Sequence, residues 1–89
     1  MIKKGLEVKN QMGLHARPAA MLAQTAGAFN SEIKIEKSGI EVNAKSIMGI
    51  MMLAAPQGAV LQFTFDGADE AEALKKVEEL FQSGFSEAY

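Results

Sequence analysis

The chain has 89 residues, 48% of them apolar and 22% charged, and a formal net charge of −2; this suits one compact soluble domain over residues 1–89. It has no cysteine and a single histidine, which excludes a disulfide framework, a thiolate metal site and a histidine-rich metal site. The small negative charge offers no electrostatic footprint for nucleic acid, and no run approaches the roughly 18 apolar residues of a membrane span.

The first residues pass straight into polar ones without the apolar stretch of a signal peptide, so the expected location is the cytoplasm. Residues 2 to 8 alternate, with Ile2, Leu6 and Val8 on one parity and Lys3 and Glu7 on the other. That is the pattern of a strand with one buried face. After a loop over 10 to 13, a helix is predicted from residue 16 to about 26. Leu22, Ala23, Ala26 and Phe29 recur at helical spacing. Pro18 falls in the first turn, where its missing N–H costs nothing. Residues 32 to 37 alternate around Ile33 and Ile35, Ser38-Gly39 signals a tight hairpin, and residues 40 to 43 form the returning strand. Ser46 reads as the N-cap of a short helix from 47 to about 53. Pro56-Gln57-Gly58 is a turn. Leu61, Phe63 and Phe65 alternate with Gln62 and Thr64 in the clearest strand of the chain. A last helix is predicted from about 69 to 83. Asp69 and Glu70 suit its positive end, Leu74, Val77, Leu80 and Phe81 form its apolar stripe, and Gly84 stops it. The order is β-α-β-β-α-β-α, and each strand has one apolar and one polar face. These features predict an α+β open-faced sandwich, a four-stranded antiparallel sheet with three helices on one face and water on the other.

The chemistry is concentrated around His15, which falls at the N-cap or first turn of the first helix. Unpaired backbone N–H groups point outward there, and the helix dipole favours negative charge. A phosphoryl group carried on the ring would be met by those donors. Arg17 could add a fork of charged donors to its oxygens, and Gly13 permits a tight bend just before the site. These residues alone leave open that His15 is a capping or surface histidine. No serine or cysteine triad partner for it can be assigned from spacing, which leaves an ordinary hydrolase remote. Ser46 is likewise either a cap or a modifiable hydroxyl. Met48, Met51 and Met52, half of the six methionines, are either core filling or an adaptable surface.

The Gly-Leu-His-Ala-Arg-Pro-Ala run at 13 to 19 and the Asn-Ala-Lys-Ser-Ile-Met-Gly-Ile-Met run at 43 to 51 resemble the two signatures of the histidine-containing phosphocarrier (HPr) family of the bacterial phosphoenolpyruvate-dependent phosphotransferase system. The separation of the two runs also matches, and the resemblance spans essentially the whole chain. It implies a carrier, not an enzyme, that needs no cofactor. Phosphorylated enzyme I would place a phosphoryl group on Nδ1 of His15, and the carrier would pass it to an enzyme II A domain. Arg17 would be the phosphate-stabilising residue. Ser46 would be the target of an HPr kinase/phosphorylase, and its phosphorylation would act on partner binding. Ala16, Ala20, Gln24, Ile47, Met48 and Met51 would form the docking patch, and the carrier would be a monomer with transient interfaces. Met12 departs from the Ser or Asn often found there. The stretches 51–55 and 80–85 are more similar to the nitrogen-type and proteobacterial branch, which points to a regulatory enzyme II A acceptor as an alternative to sugar uptake. A second reading is a mainly regulatory binding module controlled through Ser46.

Overall fold

A computed structural model describes residues 1–85. Four strands, β1 (Ile2–Glu7), β2 (Glu32–Lys37), β3 (Ile40–Asn43) and β4 (Val60–Asp66), alternate with three helices, α1 (Ala16–Gly27), α2 (Ile47–Met52) and α3 (Glu70–Gln82). The strands form one sheet in the order β1-β4-β2-β3, and every pair is antiparallel. The predicted architecture is therefore present. The sheet order adds something that periodicity cannot carry: β4, last in the chain, is inserted between β1 and β2.

The register explains the core. Leu6 pairs with Leu61, and Phe63 and Phe65 pair with Ile35 and Ile33. All six are buried on one face. The helices cover that face, and Leu22, Ala26, Ile50, Ala73, Val77 and Phe81 fill it from above. Phe81 meets Phe63 edge-on, with centroids 5.4 Å apart, and leans on Phe85 at 5.0 Å. Aromatic pairs prefer such tilted contacts because ring edges are positive and ring faces negative.

Two expectations about faces need correction. β3, the edge strand of the sheet, has no fully buried residue: Val42 is half-buried against the core and Ile40 is exposed. On α3 the buried stripe is Ala73-Val77-Phe81, with Leu74 and Leu80 half-buried beside it. The small Ala73 lets the helix settle close to the sheet, so the larger leucines fall on the flanks.

The turns follow their sequences. Ser38 and Gly39 both take positive φ (54° and 82°), the conformation of a two-residue hairpin turn that matches strand twist. At the end of α3, Gly84 N–H donates to the Phe81 carbonyl and Phe85 N–H to the Leu80 carbonyl, at 3.1 and 2.9 Å, which is a Schellman closure. Asp69 is the N-cap residue of α3, but its side chain makes no capping bond. Its carboxylate turns across to the loop after α1 and accepts from the N–H groups of Asn30 and Ser31, both at 2.9 Å, and from the Ser31 hydroxyl. Glu70 closes the bend before the helix by accepting from Gly67 N–H at 3.1 Å. The Ser31 hydroxyl, foremost, holds the Asp69 carboxyl below the usual range, and the Gly67 N–H does the same for Glu70.

Candidate functional site

The loop from β1 to α1 is strapped to the connection between α2 and β4. Val8 N–H donates to the Ala59 carbonyl at 2.8 Å and Gly58 N–H to the Val8 carbonyl at 2.7 Å. Gln57 Nε2 donates to the Lys9 carbonyl at 3.1 Å, and Leu14 N–H to the Ala55 carbonyl at 2.9 Å. At the bend, Gly13 has φ +73°, and a Cβ there would run into the backbone of Ala55 and Pro56. Only glycine satisfies both the angle and the close approach. Buried Asn10 supports the same bend, its Nδ2 donating to the Gly13 carbonyl at 2.6 Å. His15 N–H donates to that carbonyl at 3.0 Å. The loop thus delivers His15 at a fixed place.

His15 is the N-cap of α1, extended in backbone (φ −82°, ψ −167°), and its side chain makes no capping bond. Its carbonyl accepts the first helical bond, from Ala19 N–H at 2.9 Å. Pro18 has no N–H, and the N–H groups of Ala16 and Arg17 have no partner among the described residues. The donors at this positive helix end are therefore free. Of the two ring nitrogens, Nε2 is closed off without a hydrogen-bond partner. Nδ1 makes no hydrogen bond among the described residues and is not one of the fully buried polar atoms. The imidazole sits in a shallow hollow of about 350 Å³, lined also by Met12, Leu14, Met51, Ala54, Ala55 and Pro56. Arg17 is exposed, and its guanidinium has no partner among the described residues.

Ser46 is the N-cap of α2, and its Oγ accepts from Gly49 N–H at 3.1 Å. Gly49 keeps the helix low: a Cβ there would press on Val42 and Ser46. Lys45 is not free to meet an anion at Ser46 as it stands, because its Nζ donates to the Phe29 carbonyl at 2.7 Å. The methionines of α2 are surface, not core filling: Met48 is 77% and Met52 70% exposed, while Met51 and Ile47 are each 43% exposed. On α1, Ala16 and Gln24 are exposed and Ala20 is half-buried, so the three form one solvent-side stripe. α1 packs against α2, and Met51 shares the hollow with His15, which brings the two stripes onto one surface.

Four features of this site are not given by residue type, although the sequence already marked Met12 as a departure. Asn10 looks like an ordinary loop residue but is a buried brace. Met12 is 65% exposed beside the imidazole. Ala54, with φ 48°, takes a left-handed conformation unusual for alanine. Ala55 lends its carbonyl to the His15 loop. Ala55 matters through a contact with Leu14 made across more than forty residues of chain, and Asn10 and Ala54 through burial and backbone geometry that their residue types do not announce. Among the described residues no His, Asp and Glu cluster could hold a metal ion, and no helix is long and apolar enough to cross a membrane.

Residues 2–83 match the family described as "PTS HPr component phosphorylation site". Phosphocarrier protein HPr of Neisseria meningitidis serogroup A is 47% identical over 87 residues, covering 98% of each chain. The solved structure of HPr from Thermoanaerobacter tengcongensis is 49% identical and superposes with a TM-score of 0.94 over 100% of both chains. A structure described as an HPr dimer from the same organism is 50% identical, with a TM-score of 0.77 over 96% of this chain and 98% of that one. By sequence along its whole length and by fold, the chain belongs to the HPr family, the phosphocarrier proteins of the phosphotransferase system, which carry a phosphoryl group and do not themselves catalyse a reaction.

Proposed function

We propose that the chain carries its phosphoryl group on Nδ1 of His15, takes it in the cytoplasm from phosphorylated enzyme I, and yields it to the histidine of an enzyme II A protein. The observation that carries this reading is the place of the ring: His15 is the N-cap of α1, its Nε2 is closed off while Nδ1 is not among the fully buried atoms, and the first N–H groups of the helix are unpartnered among the described residues. In the forward step the Nδ1 lone pair attacks phosphorus, the P–N bond to the donor histidine breaks, and the donor nitrogen keeps the electron pair. The free N–H groups of Ala16 and Arg17 and the unpaired Arg17 guanidinium supply donors to the phosphoryl oxygens, and the helix end favours their charge. Nothing in the hollow needs a cofactor for this exchange.

Ala16, Ala20, Gln24, Ile47, Met48 and Met51 serve in this reading as the docking surface. Their exposure supports it, since exposed apolar side chains rimmed by polar ones mark interaction sites. Ser46 serves as a control point for an HPr kinase/phosphorylase. A phosphate there would add about −1.5 to −2 charges beside exposed Ile47 and Met48, within the surface that acidic or apolar partners must approach. The carrier works as a monomer with transient contacts, and the small patch suits the low end of interface sizes. The test is labelling: purified protein with enzyme I and phosphoenolpyruvate is expected to give an acid-labile phosphoprotein, and His15→Ala none. Full labelling of His15→Ala would overturn the proposal.

A further inference from the structure

The chain has no cysteine, so its six methionines hold all of its sulfur. Four of them, Met12 in the loop before α1 and Met48, Met51 and Met52 on α2, are exposed at fractions from 43% to 77%. Two of these four, Met12 and Met51, flank the imidazole in the same hollow. By contrast Met21 is half-buried against the core. A thioether is the side chain here most open to two-electron oxidation, and its sulfoxide is polar and chiral where the sulfide is apolar.

We infer that Met12 and Met51 form an oxidant-responsive modification site, at which conversion to methionine sulfoxide by a peroxide slows phosphoryl exchange at His15. The inference rests on the reading of His15 as the phosphoryl acceptor. In the step itself a sulfur lone pair attacks one peroxide oxygen and the O–O bond breaks. The sulfur is oxidised by two electrons to S=O, and the other oxygen leaves with the protons as water. Two consequences follow at the hollow. The apolar rim becomes polar, so a partner that covers it must desolvate an S=O group where it met an apolar sulfide. The sulfoxide oxygen also carries negative charge density next to a site that must admit a phosphoryl group. Neither side chain supports the core, so the fold survives the change. Methionine sulfoxide is also reversible by dedicated reductases, which makes the modification a switch and not mere damage.

The test treats the protein with hydrogen peroxide, maps the added oxygen by peptide mass spectrometry, and measures phosphorylation by enzyme I and phosphoenolpyruvate. Met12 and Met51 are expected to gain oxygen well before Met21. The phosphorylation rate is expected to fall on the order of tenfold, the loss of one good interface contact, and to recover after treatment with methionine sulfoxide reductase. The comparison is made in a Met48→Leu/Met52→Leu background, which silences oxidation of those two exposed methionines: peroxide is expected to slow that chain, and to leave the rate unchanged once Met12→Leu and Met51→Leu are added, each chain being compared with its own untreated form. Circular dichroism before and after oxidation separates this effect from unfolding. Equal slowing of the chain with all four substitutions, no slowing of the native or the Met48→Leu/Met52→Leu chain, or loss of the fold on oxidation would each overturn the inference while leaving the acceptor reading intact. Failure of the untreated native chain to become phosphorylated at His15 would instead overturn the reading beneath it.

Discussion

At the scale of single residues, the site depends on positions that have no reactive chemistry. Gly13 is the clearest. It holds φ +73° where a Cβ would meet the Ala55 and Pro56 backbone, so Gly13→Ala combines a disfavoured angle with a backbone collision. We expect a loss of about 1–3 kcal/mol in denaturant unfolding, together with slower phosphorylation, because the strap that delivers His15 must shift. Ser46 separates capping from signalling. Ser46→Ala loses the acceptor for Gly49 N–H and is expected to cost about 0.5–2 kcal/mol. Ser46→Asp retains a good N-cap and should unfold close to the native midpoint while exchanging phosphoryl groups more slowly. If both variants exchange at the native rate, Ser46 is a cap and nothing more.

At the scale of elements, most boundaries were legible in the sequence because each rests on a local rule. Alternation placed the strands, Ser46 and Gly84 marked helix ends, and Ser38-Gly39 marked the hairpin. What was not legible is non-local. The insertion of β4 between β1 and β2, the unburied β3 and the Ala73 stripe of α3 follow from how layers pack, not from periodicity. The same holds in the site: His15, Arg17 and Ser46 stand out as residue types in a motif, whereas Ala55 matters through a contact across the chain, and Asn10 and Ala54 through burial and backbone geometry that show only in the folded loop. Asp69 shows the point in another way. Its position before α3 suggested a helix-end role, but its carboxylate clamps the loop after α1 to α3. Asp69 and Glu70 are both held below their ordinary carboxyl values. Their stabilisation is therefore complete above the ordinary carboxylate range and is lost as pH falls through the lower, folded values. Acid unfolding should accordingly be steeper for the native chain than for Asp69→Asn, and the stability gap between them should narrow as pH drops below about 4. A gap independent of pH would remove Asp69 from this role.

At the scale of the molecule, the two faces divide the work. The helical face carries His15, the free helix end and the exposed methionines. The open face of the sheet presents Lys3, Glu32, Lys34, Gln62 and Thr64, with Lys34 spanning Glu32 and Glu41 at 3.9 Å each. Exposed pairs of this kind contribute little to stability. Lys34→Ala is therefore expected to leave both the unfolding free energy, within about 0.5 kcal/mol, and phosphoryl exchange unchanged. Met48→Asp, on the other face and 77% exposed, should be as neutral for folding yet slow exchange on the order of tenfold. Equal exchange rates for the two variants, measured with the same enzyme I, would show that the methionine surface is not where partners dock.

The central claim concerns one atom of one ring. Isotope-edited NMR of the chain after incubation with enzyme I and phosphoenolpyruvate reads that atom directly. The account predicts a phosphoryl group coupled to Nδ1 of His15, with Nε2 unsubstituted and no phosphoryl group elsewhere. A phosphoryl group on Nε2, or on any residue other than His15, would contradict it.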